Sequence, residues 1–218
     1  MPIPTGAVIN FSLDFLSAVV ALLTSYYSYR VNRMVGNPVL AAISIGFMLL
    51  GVGLAVEAGT ALVSGTTLVE FAGRVLLVLF ASYTYLTVQM IAYLVIAVGY
   101  ARFAYAGQSK VSTLAVAAPV VSAFAADLFR YSLLSYFVAL ILLAFVVFQG
   151  FLLRSGHKNR FSAEVLIAFS LVLLAHIVLL VSVIMLGPAL FLIGTVVQFL
   201  GFLSLLVFVV RSEVIGAG

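Results

Sequence analysis

Eight side chains able to carry a charge, a proton or a strong hydrogen bond interrupt otherwise apolar stretches of this sequence: Asp14, Glu57, Arg74, Tyr85, Gln89, Tyr93, His176 and Gln198. Arg74, Ser82, Tyr85, Gln89, Tyr93 and Tyr100 follow one another at intervals of 8, 3, 4, 4 and 7 residues. That recurrence places them along one face of a helix. Asn10, Asp14, Ser17, Thr24 and Ser28 form a second stripe, and Gly46, Gly53, Glu57 and Thr60 share a face. Gly194, Gln198 and Gly201 form a fourth such group. Ionisable and amide groups are costly in hydrocarbon and mark ligand, ion or proton pathways. Small and hydroxyl residues also serve close packing and interhelical hydrogen bonds, so a polar pocket and a packed seam are both open readings.

The chemistry these residues support is narrow. Glu57, roughly 9 Å from the outer end of its span at 1.5 Å per residue, is either the partner of Arg74 in a structural ion pair or a carboxyl that carries a proton. His176 has Phe169, Val172, Leu173 and Leu180 as helical neighbours, which favours a hydrogen-bonded packing role over a proton relay. One membrane histidine cannot ligate haem from both faces, and no HExxH or comparable cluster offers a metal site. The absence of cysteine excludes disulfides, thiolate metal sites and cysteine nucleophiles. We therefore expect no enzyme activity, no cofactor and no metal.

The elements that position these residues are membrane spans. The chain has 218 residues, 66% hydrophobic, with 10 Lys or Arg and 6 Asp or Glu, and a mean hydropathy of +1.36. Soluble domains carry about 25% charged residues, so this chain lacks the polar surface that water requires. Seven apolar runs of span length are predicted, at residues 8–29, 38–63, 70–101, 111–126, 131–153, 163–186 and 188–210. Asn37 before Pro38 reads as an N-cap with a first-turn proline, and Pro188 after Gly187 opens the last span in the same way. Thr67 and Glu70 have capping-box spacing. Glu70 with Arg74 and Asp127 with Arg130 are spaced for ion pairs at the outer surface. Span four is short and contains Pro119.

Orientation follows from the basic residues. Arg30, Arg33, Arg102, Lys110, Arg154, Lys158, Arg160 and Arg211 fall on one side, with Arg74 and Arg130 on the other. The positive-inside rule then puts the N-terminus outside and the C-terminus in the cytoplasm. No basic residue precedes Arg30, so the first span is expected to be retained rather than cleaved as a signal peptide. Spans one to three and five to seven have matching orientation and basic first loops, which makes an internal duplication around span four conceivable. The expected protein is an all-α, multi-pass, seven-transmembrane-helix bundle of the cell membrane. Its basic face attracts anionic lipid, with an acidic partner as the alternative, and nucleic-acid binding is not expected.

Seven spans with an outside N-terminus is also the layout of microbial rhodopsins. Here the only lysines, Lys110 and Lys158, lie in predicted loops, so no retinal Schiff base is expected. The layout matches sugar transporters of three plus one plus three helices in topology alone, without their PQ-type motif. From Tyr29 to Gly99 the chain reads YRVNRMVGNP, then AAISIGFMLLGVGLAVEAG with an acid near the outer end of span two, then EFAGRVLLVLFASYTYL. This stretch resembles the seven-helix sensor module of some prokaryotic histidine kinases and related regulators. The resemblance implies a membrane sensor; since no output domain follows before Gly218, its signal is expected to leave through helix movement felt by a separate partner. Two further readings stay open: a small-solute or proton-coupled transporter with Glu57 as the proton site, and an accessory or scaffold subunit whose polar stripes only pack.

Overall fold

The computed structural model describes residues 5–64, 71–104, 128–156 and 160–216. These form α1 (Thr5–Val35), α2 (Pro38–Ser64), α3 (Phe71–Ala104), α4 (Leu128–Gly156), α5 (Arg160–Met185) and α6 (Pro188–Gly216). All six are long and apolar enough to cross a membrane, with mean hydropathies from 1.3 to 2.8 over their spans. The protein is thus an all-α, multi-pass membrane protein. The predicted fourth span, 111–126, lies outside the described residues, as do the Thr67 to Glu70 cap and the Glu70 and Asp127 ends of the two outer ion pairs.

The helices run past the predicted span limits, most at α1 and α6, because a helix satisfies its own backbone groups and loses nothing by continuing into the headgroup region. At 34 residues, α3 is about 51 Å long. Its ends therefore project beyond a hydrocarbon layer of about 30 Å. The Asn37 cap before Pro38 forms as predicted, after a turn at Gly36. Gly36 takes the left-handed conformation, φ 66°, and its N–H donates to the Asn32 carbonyl at 2.7 Å. Asn37 then caps α2, its Oδ1 accepting from the Val39 N–H at 2.9 Å. At the turn into α6 it is Leu186, not Gly187, that has positive φ, 50°. The Gly187 N–H still closes the α5 terminus on the Ser182 carbonyl at 3.1 Å.

Each helix packs on its neighbours in sequence, and α6 returns to α1, so the six close into a ring. Side chains fill its centre: Phe47 of α2 meets Phe202 of α6 edge-on at 5.2 Å, and Tyr100 of α3 meets Phe169 of α5 at 5.9 Å. Successive helices run in opposite directions except α3 and α4, which run parallel. Tyr83 meets Tyr131 with rings tilted by 50° towards one end of this pair, and Tyr100 and Phe103 share a cavity with Gly150 and Leu153 at the other.

Contact between helices expels no water in lipid, so cohesion has to come from close approach and internal hydrogen bonds. The glycine faces supply the approach. A Cβ on Gly51 would stand 2.7 Å from Leu22 Cγ, and one on Gly201 would stand 2.7 Å from Val172 Cγ2. Gly99 is closest of all, facing Ala42 across the α2–α3 seam with no room for a methyl group. Hydrogen bonds supply the rest. Ser25 Oγ donates to the Ser44 carbonyl at 2.8 Å, and Ser44 Oγ returns the bond to the Ser25 carbonyl at 3.0 Å, clasping α1 to α2. Ser170, which is exposed to lipid, turns its hydroxyl back onto the Leu166 carbonyl of its own helix.

Candidate functional site

The stripe on α3 faces inward. Tyr85, Gln89, Tyr93 and Tyr100 are all buried, whereas Phe80 and Ile91 on the other side are exposed. This follows from the sequence period. With 3.6 residues per turn, positions 85, 89, 93 and 100 stay on one side of α3, beside buried apolar neighbours such as Leu86, Met90 and Ile96, and Phe80 and Ile91 are left on the lipid side.

Two contacts form the polar centre. Gln89 Nε2 donates to His176 Nε2 of α5 at 2.7 Å, and His176 Nδ1–H donates to the Val172 carbonyl one turn back at 2.8 Å. The backbone bond fixes the tautomer, leaving Nε2 as the acceptor that Gln89 requires. Both nitrogens of the fully buried His176 are thereby engaged, with Tyr93 edge-on at 5.2 Å and Tyr136 of α4 at 6.2 Å. One turn towards the N-terminus of α3, Gln198 of α6 donates to the Tyr85 hydroxyl at 3.3 Å. Neither α5 nor α6 neighbours α3 in the ring. These are bonds across the centre, and α3 is their common member.

Beyond Tyr85, towards the end where α2 finishes and α3 begins, lie the two membrane carboxyls. Asp14 of α1 and Glu57 of α2 are half-buried. They lie within electrostatic reach of each other and of Tyr136, and Glu57 also of Tyr85. The ion pairs among the described residues are elsewhere, at the opposite end of the bundle. Arg30 of α1 meets Glu213 of α6 at 2.9 Å, and Arg211 of α6 meets Glu164 of α5 at 3.8 Å. Arg74 belongs to α3, but its side chain is outside the described residues, and with it the expected pairing to Glu57.

The structure brings Tyr85 to Gln198, and Gln89 and Tyr93 to His176. Asp14 and Glu57 lie within electrostatic reach of each other, and Glu57 of Tyr85. The sequence reading missed Tyr136, which flanks both His176 and the carboxyls. It also missed the clasp of Ser25 and Ser44, and the bond between Thr87 and Tyr131 that ties α3 to α4. Tyr131, Ser135 and Tyr136 are a cluster of hydroxyl residues at the start of an apolar run, and that signal could have drawn attention to α4. Among the described residues no group of three or more His, Cys, Asp or Glu is placed to hold a metal ion. Comparison with protein-family models, with curated proteins and with solved structures gives no match.

Proposed function

We propose that this chain is a non-enzymatic, sensor-like or receptor-like module of the cell membrane: a seven-span bundle with the N-terminus outside, responding to a small ligand or to the state of the membrane and acting through a separate partner. The parallel run of α3 and α4 supports the span count, since a parallel pair is what one further crossing between them requires. The ends bearing Arg30, Arg33, Arg102, Arg154 and Arg211 meet on one side of the bundle, which supports a cytoplasmic, anionic-lipid-facing assignment for that side.

One observation carries the functional reading. Beneath the half-buried carboxyls, α3 is linked across the bundle to α5 and α6 by two buried side-chain bonds, at Gln89 and Tyr85. A ligand received at Asp14 and Glu57 that takes over the Tyr85 hydroxyl frees Gln198 and loosens α3 from α6. A ligand moves the bundle only if it binds the two arrangements unequally, and competition for one hydroxyl provides that inequality.

The test uses the absence of native cysteine. Spin labels at paired single cysteines on the α3 and α6 ends report their separation in nanodiscs during titration with panels of small acids, amines and sugars. The proposal expects a saturable distance change that Tyr85→Phe removes.

A transporter is the second reading, favoured by two half-buried membrane carboxyls, Asp14 and Glu57, within electrostatic reach of each other. Proton flux in proteoliposomes that Glu57→Gln abolishes would establish transport in place of sensing; the sensor reading expects no flux in either protein.

A further inference from the structure

At the end of the bundle that carries the arginines, α2, α3, α4 and α5 part around a cavity of about 320 Å³. Its wall is apolar, formed by Ile43, Phe103, Val146, Leu153, Val165 and Phe169 among others. The polar side chains in the wall are two, Asn37, whose Oδ1 accepts from the Val39 N–H at the start of α2, and Tyr100. A polar solute entering such a space would give up most of its hydrogen bonds to water without replacement. An apolar chain would lose nothing.

The charges around the cavity are unequal. Arg30 and Arg211 are matched by Glu213 and Glu164. Arg102 and Arg154 take part in neither of the ion pairs found among the described residues, and both are exposed. Arg102 directly precedes the wall residue Phe103, and Arg154 directly follows the wall residue Leu153. Each stands two residues from the end of its helix, α3 or α4, and these helices pack side by side. Two exposed guanidinium groups outside the ion pairs of the described residues thus stand next in sequence to wall residues, at the arginine-bearing end of the bundle.

We propose that this cavity takes part of one acyl chain of an anionic phospholipid whose phosphate is held by Arg102 and Arg154. A volume of 320 Å³ stands at the small end of ligand pockets, which run from about 300 to 1,000 Å³. It admits a segment of chain, and the rest of the lipid stays in the bilayer. Lipid tails are as apolar as the wall, so the cavity alone gives a bound tail little advantage over the surrounding bilayer. Selectivity comes from the headgroup, because guanidinium binds phosphate through paired, charge-assisted hydrogen bonds. A zwitterionic lipid offers the same phosphate with a compensating ammonium and binds more weakly. The proposal does not depend on a ligand at the polar centre; a failure of the sensor reading leaves it untouched.

Native mass spectrometry of the delipidated full chain tests it, with phosphatidylglycerol and phosphatidylcholine of identical acyl chains and with free palmitate. The expected result is an apparent Kd for phosphatidylglycerol at least tenfold below that for phosphatidylcholine or palmitate. The double variant Arg102→Gln with Arg154→Gln, which alters only exposed side chains and leaves the wall intact, should erase that preference. Gly150→Leu, which builds into the cavity from α4, should weaken phosphatidylglycerol binding at least fivefold. Equal binding of the two phospholipids, a preference that survives loss of both arginines, or palmitate binding as tightly as phosphatidylglycerol would each overturn the proposal. So would unchanged binding in a folded Gly150→Leu protein, and the arginine variant decides the matter if that protein does not fold.

Discussion

The α2–α3 and α4–α5 seams each join two antiparallel membrane helices, yet one is closed and the other is not. Across α2–α3, Gly46 meets Ile96, Gly53 meets Val88 and Tyr85, and Gly99 meets Ala42, each with little or no space for a further atom. Across α4–α5 the one glycine contact among the described residues is at Gly150, where a Cβ would stand 3.3 Å from Leu166 Cδ1, and the cavity opens beside it. The physical reason is the spacing of small residues. Repeated glycines let two backbones approach along their whole length, whereas Leu, Val and Phe on both faces hold them apart. Closed seams fix α1, α2 and α3 as one unit and α5 with α6 as another. The α4 corner is where the bundle has room.

Substitutions can break this contrast in order of size. The largest effect is expected for Gly99→Ala, which forces a methyl group against Ala42; overpacking of this kind costs about 1–3 kcal/mol. Unfolding in mixed micelles should show it, and an unchanged midpoint would mean the seam is looser than described. Next comes the centre. Removing one partner from the Gln89 and His176 pair leaves a buried polar group unmatched, so Gln89→Leu should destabilise by about 1–3 kcal/mol. A double-mutant cycle with His176→Leu should return a coupling of about 0.6 kcal/mol and no more than about 1.7, the range found for hydrogen bonds inside membranes; additive effects would remove the bond from the account. Ser25→Ala should cost about 0.6 kcal/mol through loss of one arm of the clasp, and the Ser44→Ala variant should match it. Smallest is Gly150→Ala, expected within about 0.5 kcal/mol of the parent because the neighbouring Leu166 side chain has open space to move into. A larger loss there would show that the α4–α5 seam is as tight as the α2–α3 seam.

Local features of the sequence were readable because local rules decide them. The runs of apolar residues locate all six described helices, Asn37 and Pro38 mark the start of α2, and the four-residue spacing of Tyr85, Gln89 and Tyr93 identifies the inward face of α3. Partner choice was not readable. Gln89 meets a residue 87 positions away and Tyr85 one 113 positions away, and ring closure, not periodicity, selects those pairs. Ser25 escaped notice because it stands beside the stripe of Thr24 and Ser28, facing α2. The cavity left no trace in the sequence, since a gap among four helices depends on the summed side-chain volumes of residues from Asn37 to Phe169.

The central claim is that a membrane-spanning α3 turns its polar stripe to the middle of the bundle. Single spin labels at positions 80, 85, 89, 91 and 93 of the cysteine-free chain, reconstituted in bilayers, test it through collision rates with dissolved oxygen, which concentrates in lipid. High rates at 80 and 91 with low rates at 85, 89 and 93 are the predicted result. High rates at 85 and 89 would put Tyr85 and Gln89 against acyl chains and contradict the account.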